Sequence, residues 1–141
     1  MNRFHPNDVC FCCGDDNPMS LGLQVEAVAG AVVGRARLDQ RHQGRPGVAH
    51  GGAIATLMDE LLGAVAVDAE RDRTAVTATL TIDYRAPLLL PQEVRLRAWC
   101  ERTSGRKLFL RGAMSADERL VAEAHGIWVL VDDDAPPRGK L

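Results

Sequence analysis

Gly51 to Val67 reads GGAIATLMDELLGAVAV, and the architecture of the chain turns on it. Its Ala, Leu and Met content with few β-branched residues favours a helix over a strand. Asp59 and Glu60 are its only charges, so it lacks the broad polar face of a surface helix and belongs in the middle of a core. On its N-terminal side, residues 40 to 50 carry two glycines and a proline without periodicity and predict an irregular loop. Before that loop, Leu23/Val25/Ala27 and Val32/Gly34/Ala36/Leu38 alternate around Gly30, the pattern of a strand pair. On the other side, Thr74 to Ala86 alternates strictly, with Val76, Ala78, Leu80, Ile82 and Tyr84 set against Thr77, Thr79, Thr81, Asp83 and Arg85. Further strands are predicted at Glu93 to Arg102, Lys107 to Ser115 and Leu120 to Val131. The links Pro87 to Pro91, Ser104-Gly105 and Asp117-Glu118 are short enough to make these last four strands antiparallel neighbours.

Two strands, one buried helix and four strands make an α+β protein in which a sheet of about six antiparallel strands curls around one central helix. A helix this apolar keeps a face that its own sheet does not cover, which predicts a second copy of the chain against it. The length of 141 residues suits one domain. We divide it into a leader (1–20), the domain (21–131) and a flexible tail (132–141).

Charge narrows the function. Lys and Arg total 17 against 19 Asp and Glu, so no basic field exists to hold nucleic acid or an anionic membrane. No apolar run spans a bilayer and the N-terminus has no signal-like hydrophobic region, which predicts a cytoplasmic protein with reduced thiols. Cys10 and Cys13 form a C-x-x-C without a second pair, and Cys100 falls in a predicted strand, so no metal is expected. His5, His42 and His125 have no ligand spacing. Neither a nucleophile elbow nor a phosphate loop is present.

The helix start carries more information. Gly51 and Gly52 let a ligand approach free backbone N–H donors at the positive end of the helix dipole, a setting suited to a carbonyl oxygen that gains charge. An ordinary Gly-rich turn would have the same composition. Further along, a carboxylate among apolar neighbours is costly unless used, but periodicity does not choose Asp59 over Glu60.

The string HGGAIATLMDELLG, followed by a Thr-rich strand ending IDYRAP, resembles the hot-dog-fold acyl-CoA thioesterases of the PaaI and 4-hydroxybenzoyl-CoA thioesterase type. The resemblance runs over residues 40 to 131. It implies Asp59 as nucleophile or general base, the Gly51 N–H as oxyanion donor, His50 as an orienting partner and Thr77 as a hydroxyl that holds water or the carboxylate. The earlier CFCCGDDNPMSLGL is similar to a leader in some members, with no catalytic role attached. Relatives often carry an Asn at the position that is Gly44 here, which leaves Gln43 as the substitute. Coenzyme A would enter as part of the substrate, with no separate cofactor. Gly52, Arg85, Arg102, Arg106 and Lys107 are candidates for contacting it, the cations through its phosphates.

Geometry adds a constraint. Gly51 and Asp59 are eight residues apart on one helix, about 12 Å at ~1.5 Å per residue, and cannot both touch one carbonyl. If both act, Gly51 of one protomer faces Asp59 of another across a two-fold axis, which predicts a homodimer, with a dimer of dimers as a further level hinted at by the Thr-rich outward face from Thr77 to Thr81. The alternatives are a noncatalytic acyl-CoA binding module and a hot-dog enoyl-CoA hydratase or dehydratase.

Overall fold

The computed structural model describes residues 9–69 and 73–132. Residues 1–8 of the expected leader, 70–72 of the turn after the helix and 133–141 of the expected tail lie outside the described residues. The elements in chain order are β1 (Gln24–Val28), β2 (Ala31–Leu38), a 3-10 turn (Gln40–His42), α1 (Gly51–Ala69), β3 (Thr74–Tyr84), β4 (Gln92–Ser104), β5 (Lys107–Ala116) and β6 (Arg119–Val131). All pairings are antiparallel, in the order β1-β2-β4-β5-β6-β3.

The sheet wraps α1, which packs against all six strands, and this is the hot-dog arrangement. Ile54, Leu57, Met58, Leu61, Leu62, Ala64, Val65 and Ala66 are the buried residues of the helix. They meet Leu96, Leu108, Leu110, Met114 and Trp128 from the strands in one continuous core. Gly112 exists for this packing, because a Cβ there would stand 2.7 Å from Leu62 Cδ1. Among the described residues no helix is long and apolar enough to cross a membrane.

Three expectations need correction. The link after β3 does not close a hairpin, since β3 pairs with β6 at the far edge while β4 lies between β2 and β5. Two prolines deprive this link of donors, and its remaining backbone bonds go to the loop before α1. Ala49 N–H donates to the Leu88 carbonyl and Leu90 N–H to the Gly47 carbonyl, both at 2.9 Å, while the Leu88 side chain is buried. The link thus braces the entry to the helix.

The strict alternation of β3 also fails. Thr77 pairs with Trp128 and Thr79 with Ile127, leaving Ala78 as a bulge. Residues paired across a ladder share a face, and Trp128 is buried against the core, so the bulge turns Thr77 inward and leaves Thr79 and Thr81 outward. Thr77 is therefore not part of an outward threonine face.

The partly covered stripe of α1 is not purely apolar either. Beside Gly52, Ala53, Ala55, Gly63 and Val67 it carries Thr56, Asp59 and Glu60, and the leader covers part of it. Cys12 and Cys13 are buried there, with Cys12 Sγ 3.8 Å from the Thr56 carbonyl and Cys13 Sγ 3.4 Å from Glu60 Oε1. Of the described leader, Cys12 and Cys13 belong to the core while Val9, Phe11 and Met19 stay exposed, and the segment is tied down by Leu21 N–H to the Phe11 carbonyl and Leu23 N–H to the Cys12 carbonyl.

Candidate active site

The start of α1 is capped by a histidine. His50 Nδ1 accepts the Gly52 N–H at 2.8 Å, and the His50 carbonyl accepts Ala53 N–H at 3.0 Å. A ring that accepts at Nδ1 carries its proton on Nε2, which leaves one donor for a ligand. Of the first three helical N–H groups, only that of Gly51 has no protein acceptor among the described residues. This is the donor that the sequence reading singles out. Gly52, read as a substrate contact, has its N–H engaged by the cap instead.

Neighbouring residues hold this terminus in place. His50 N–H donates to the His42 carbonyl at 2.8 Å, and the Tyr84 hydroxyl donates to the Gly51 carbonyl at 2.8 Å. Sequence reasoning missed Tyr84, although it ends the IDYRAP strand that carries the resemblance. The 3-10 turn is held by a reciprocal cap. Asp39 Oδ1 accepts Arg41 N–H at 3.0 Å, and Asp39 N–H donates to His42 Nδ1 at 3.0 Å. The Arg41 guanidinium, bonded to the same carboxylate, lowers the Asp39 pKa to about 2.

A cavity of about 270 Å³ opens beside the helix start. Gln43, His50, Gly52 and Thr56 line it, together with Phe11 and Met19 from the leader, residues that sequence reasoning assigned no role. Gln43 is only partly available, because its Oε1 accepts the Gly47 N–H at 3.1 Å. Gly44 lies against His50, and a Cβ there would come within 3.2 Å of the ring.

Two turns along α1, the Thr77 hydroxyl donates to Asp59 Oδ1 at 2.9 Å. That contact separates the two acids of the helix: Asp59 faces β3, and Glu60 faces the leader cysteines. Asp59 is half-buried rather than enclosed. Burial raises the Cys12 and Cys13 thiols, in both cases with a further push from Glu60, and neither is a ready nucleophile.

The cations are scattered. Arg85 is paired with Glu123 at 3.0 Å and approaches Asp83 at 3.7 Å. Arg102 lies over the Phe109 ring at 3.5 Å. Lys107 pairs with Val129, one position out of phase with the inward Leu108 and Trp128, so it stands on the face away from the helix. Arg106 is exposed in the turn before β5. No phosphate cradle forms among them within one protomer.

Comparison with known proteins settles the family. Residues 46–123 match the family model of the thioesterase superfamily. The chain belongs to that superfamily. Mouse acyl-coenzyme A thioesterase THEM4 is 38% identical over 96 residues, which is 67% of this chain and 40% of that protein. The chain thus spans about two fifths of the length of the curated relatives it matches first. Among solved structures, the thioesterase superfamily protein RHA08564 aligns at TM-score 0.77 and 27% identity over 86% of this chain and 60% of that one. PA5202 of Pseudomonas aeruginosa aligns at TM-score 0.72 and 28% identity, over 79% of this chain and 90% of that one. The E. coli PaaI protein shares the fold at TM-score 0.73 and 17% identity, over 79% of this chain and 81% of that one.

Proposed function

We propose that this thioesterase-superfamily chain hydrolyses acyl-CoA thioesters in a reducing, cytoplasmic setting, with each site shared by two protomers. The observation that carries the proposal is the pair of groups left available at two points of one helix. A Gly51 N–H with no protein acceptor among the described residues stands at the start, and an Asp59 carboxylate, oriented by Thr77, stands about 12 Å on at ~1.5 Å per residue. One thioester reaches both only if a second α1 runs antiparallel to the first. The β3 edge supports such an approach: among the described residues no strand pairs with its outer side, and Val76 is 47% exposed.

In this arrangement the Gly51 N–H and the His50 Nε2–H of one protomer polarise the thioester carbonyl. Asp59 of the other takes a proton from a water molecule that attacks the carbonyl carbon. Collapse of the tetrahedral intermediate breaks the C–S bond. CoA leaves as a thiolate with pKa near ~8.5 and needs little help on departure, and Asp59 returns its proton to solvent. Direct attack by Asp59 through a mixed anhydride is the variant of the same geometry.

The test is CoA release from a panel of aryl, short-chain and medium-chain acyl-CoAs, including a 2-enoyl-CoA, with wild type and Asp59→Asn. Turnover that falls by about 10²-fold or more in the variant supports the role given to Asp59, and equal rates reject it. Hydration of the enoyl-CoA instead of CoA release would move the protein to the hydratase reading. One observation favours a noncatalytic binding module: Gly44 brings no polar side chain to His50, and Gln43 Oε1 is already engaged. That reading predicts saturable acyl-CoA binding without turnover.

A further inference from the structure

We propose that Cys10, Cys13 and Glu60 form a site for a thiophilic divalent cation, zinc by preference, that fastens the leader to the middle of α1. Their ligand atoms, two sulfurs and a carboxylate oxygen, all lie within 4.8 Å of one another. Cys13 Sγ and Glu60 Oε1 are already 3.4 Å apart. Ligands of a tetrahedral zinc with Zn–S ≈ 2.3 Å and Zn–O ≈ 2.0 Å stand about 3.5 Å apart for S and O, and about 3.8 Å for S and S. A small contraction therefore completes three of the four positions.

The backbone supplies a second, independent sign. The turn at Cys10 closes with Gly14 N–H on the Cys10 carbonyl at 2.9 Å, which aims the Cys12 N–H at Cys10 Sγ at 3.3 Å. An amide directed at the sulfur two residues earlier stabilises a thiolate, and this is how a C-x-x-C turn presents two sulfurs to one metal. Two thiolates and one carboxylate exclude magnesium and calcium, which prefer oxygen alone, and match zinc, with a water in the fourth position. Coordination sends the thiol protons to solvent and changes no oxidation state. The C-x-x-C looks incomplete in the sequence because its third ligand comes from a helix 47 residues beyond Cys13.

The site would act on structure. Phe11 lies between the two cysteines and Met19 follows them, and both wall the cavity at the helix start. Fastening residues 10–13 to Glu60 fixes that wall.

The full chain, reduced and stripped of metal, is loaded with Zn2+ or Co2+ and freed of excess by gel filtration. We expect about one equivalent per chain and, with Co2+, a thiolate-to-cobalt charge-transfer band of tetrahedral type. Cys10→Ser and Cys13→Ser each abolish the band, Glu60→Gln weakens cobalt binding by at least ~10-fold, and Cys100→Ser leaves it unchanged. Zn2+ also raises the melting temperature of the wild type, a readout that needs no variant to fold. Retention of less than about a tenth of an equivalent by the wild type overturns the proposal. So does a band that survives in the Cys10→Ser/Cys13→Ser double variant.

Discussion

Asp59 and Thr77 meet through one hydrogen bond of 2.9 Å, and its charged acceptor makes it stronger than a neutral pair. Replacing Thr77 with Val removes that donor and leaves the carboxylate free to rotate. We expect kcat for acyl-CoA hydrolysis to fall about 10- to 100-fold with little change in KM, and Thr77→Ser to restore most of it. At the other end of the helix a pair of substitutions separates the N–H from the side chain. Gly51→Ala keeps the donor and adds a Cβ 3.3 Å from the Tyr84 hydroxyl. Gly51→Pro fits the first helical position but has no N–H, so its kcat/KM should drop by about 10²- to 10³-fold, well beyond the alanine variant. Equal losses in the two variants would show that the donor is not used. The sequence could point to Gly51 and Asp59 but could not show that the His50 ring occupies the Gly52 N–H, because that bond depends on a rotamer rather than on spacing.

At the scale of elements, β3 shows what periodicity encodes and what it hides. The hydrophobic runs mark the helix and all six strands within a few residues, because burial on one face writes period 2 or 3.6 into the chain. The Ala78 bulge leaves no such mark. It is visible only in the pairing with β6, where Gly126 lies opposite Leu80 and a Cβ would collide with the Thr79 carbonyl and stand 2.7 Å from the Trp128 ring. Gly126→Ala should therefore cost about 1–3 kcal/mol in urea unfolding and lower activity through displacement of Thr77. The far-edge place of β3 was hidden too, since a short Pro-bounded link reads the same whether it turns back or crosses over. The β5–β6 turn offers the opposite kind of change. Asp117 and Glu118 hold φ of 47° and 62°, so Glu118→Gly should raise stability by about 1 kcal/mol in the same assay. The cap before α1 has its own pH signature. The folded pKa of Asp39, about 2, lies below its unfolded value of about 4, so its contribution is complete above pH ~4 and disappears as the pH falls towards 2. Urea midpoints of wild type and Asp39→Asn should converge over that window.

For the whole molecule, the sheet and its helix make a complete core, yet the two candidate catalytic groups are separated along one rod. The sequence contained this conflict in full, because residue spacing on a helix fixes length. A partner subunit's placement is not written in the same way, since it depends on which edge of the sheet stays unpaired, and that edge follows from the crossover. If each site draws on two chains, mixing two inactive variants restores activity. Gly51→Pro and Asp59→Asn protomers are unfolded together, refolded as a mixture and assayed for CoA release against each variant refolded alone. Random pairing puts half of the chains in mixed dimers, each with one intact site and one doubly impaired site, so activity should recover to about a quarter of the wild-type value. Activity no higher than that of either variant alone, in a mixture shown to contain mixed dimers, would mean that both groups act within a single chain and would contradict the shared site.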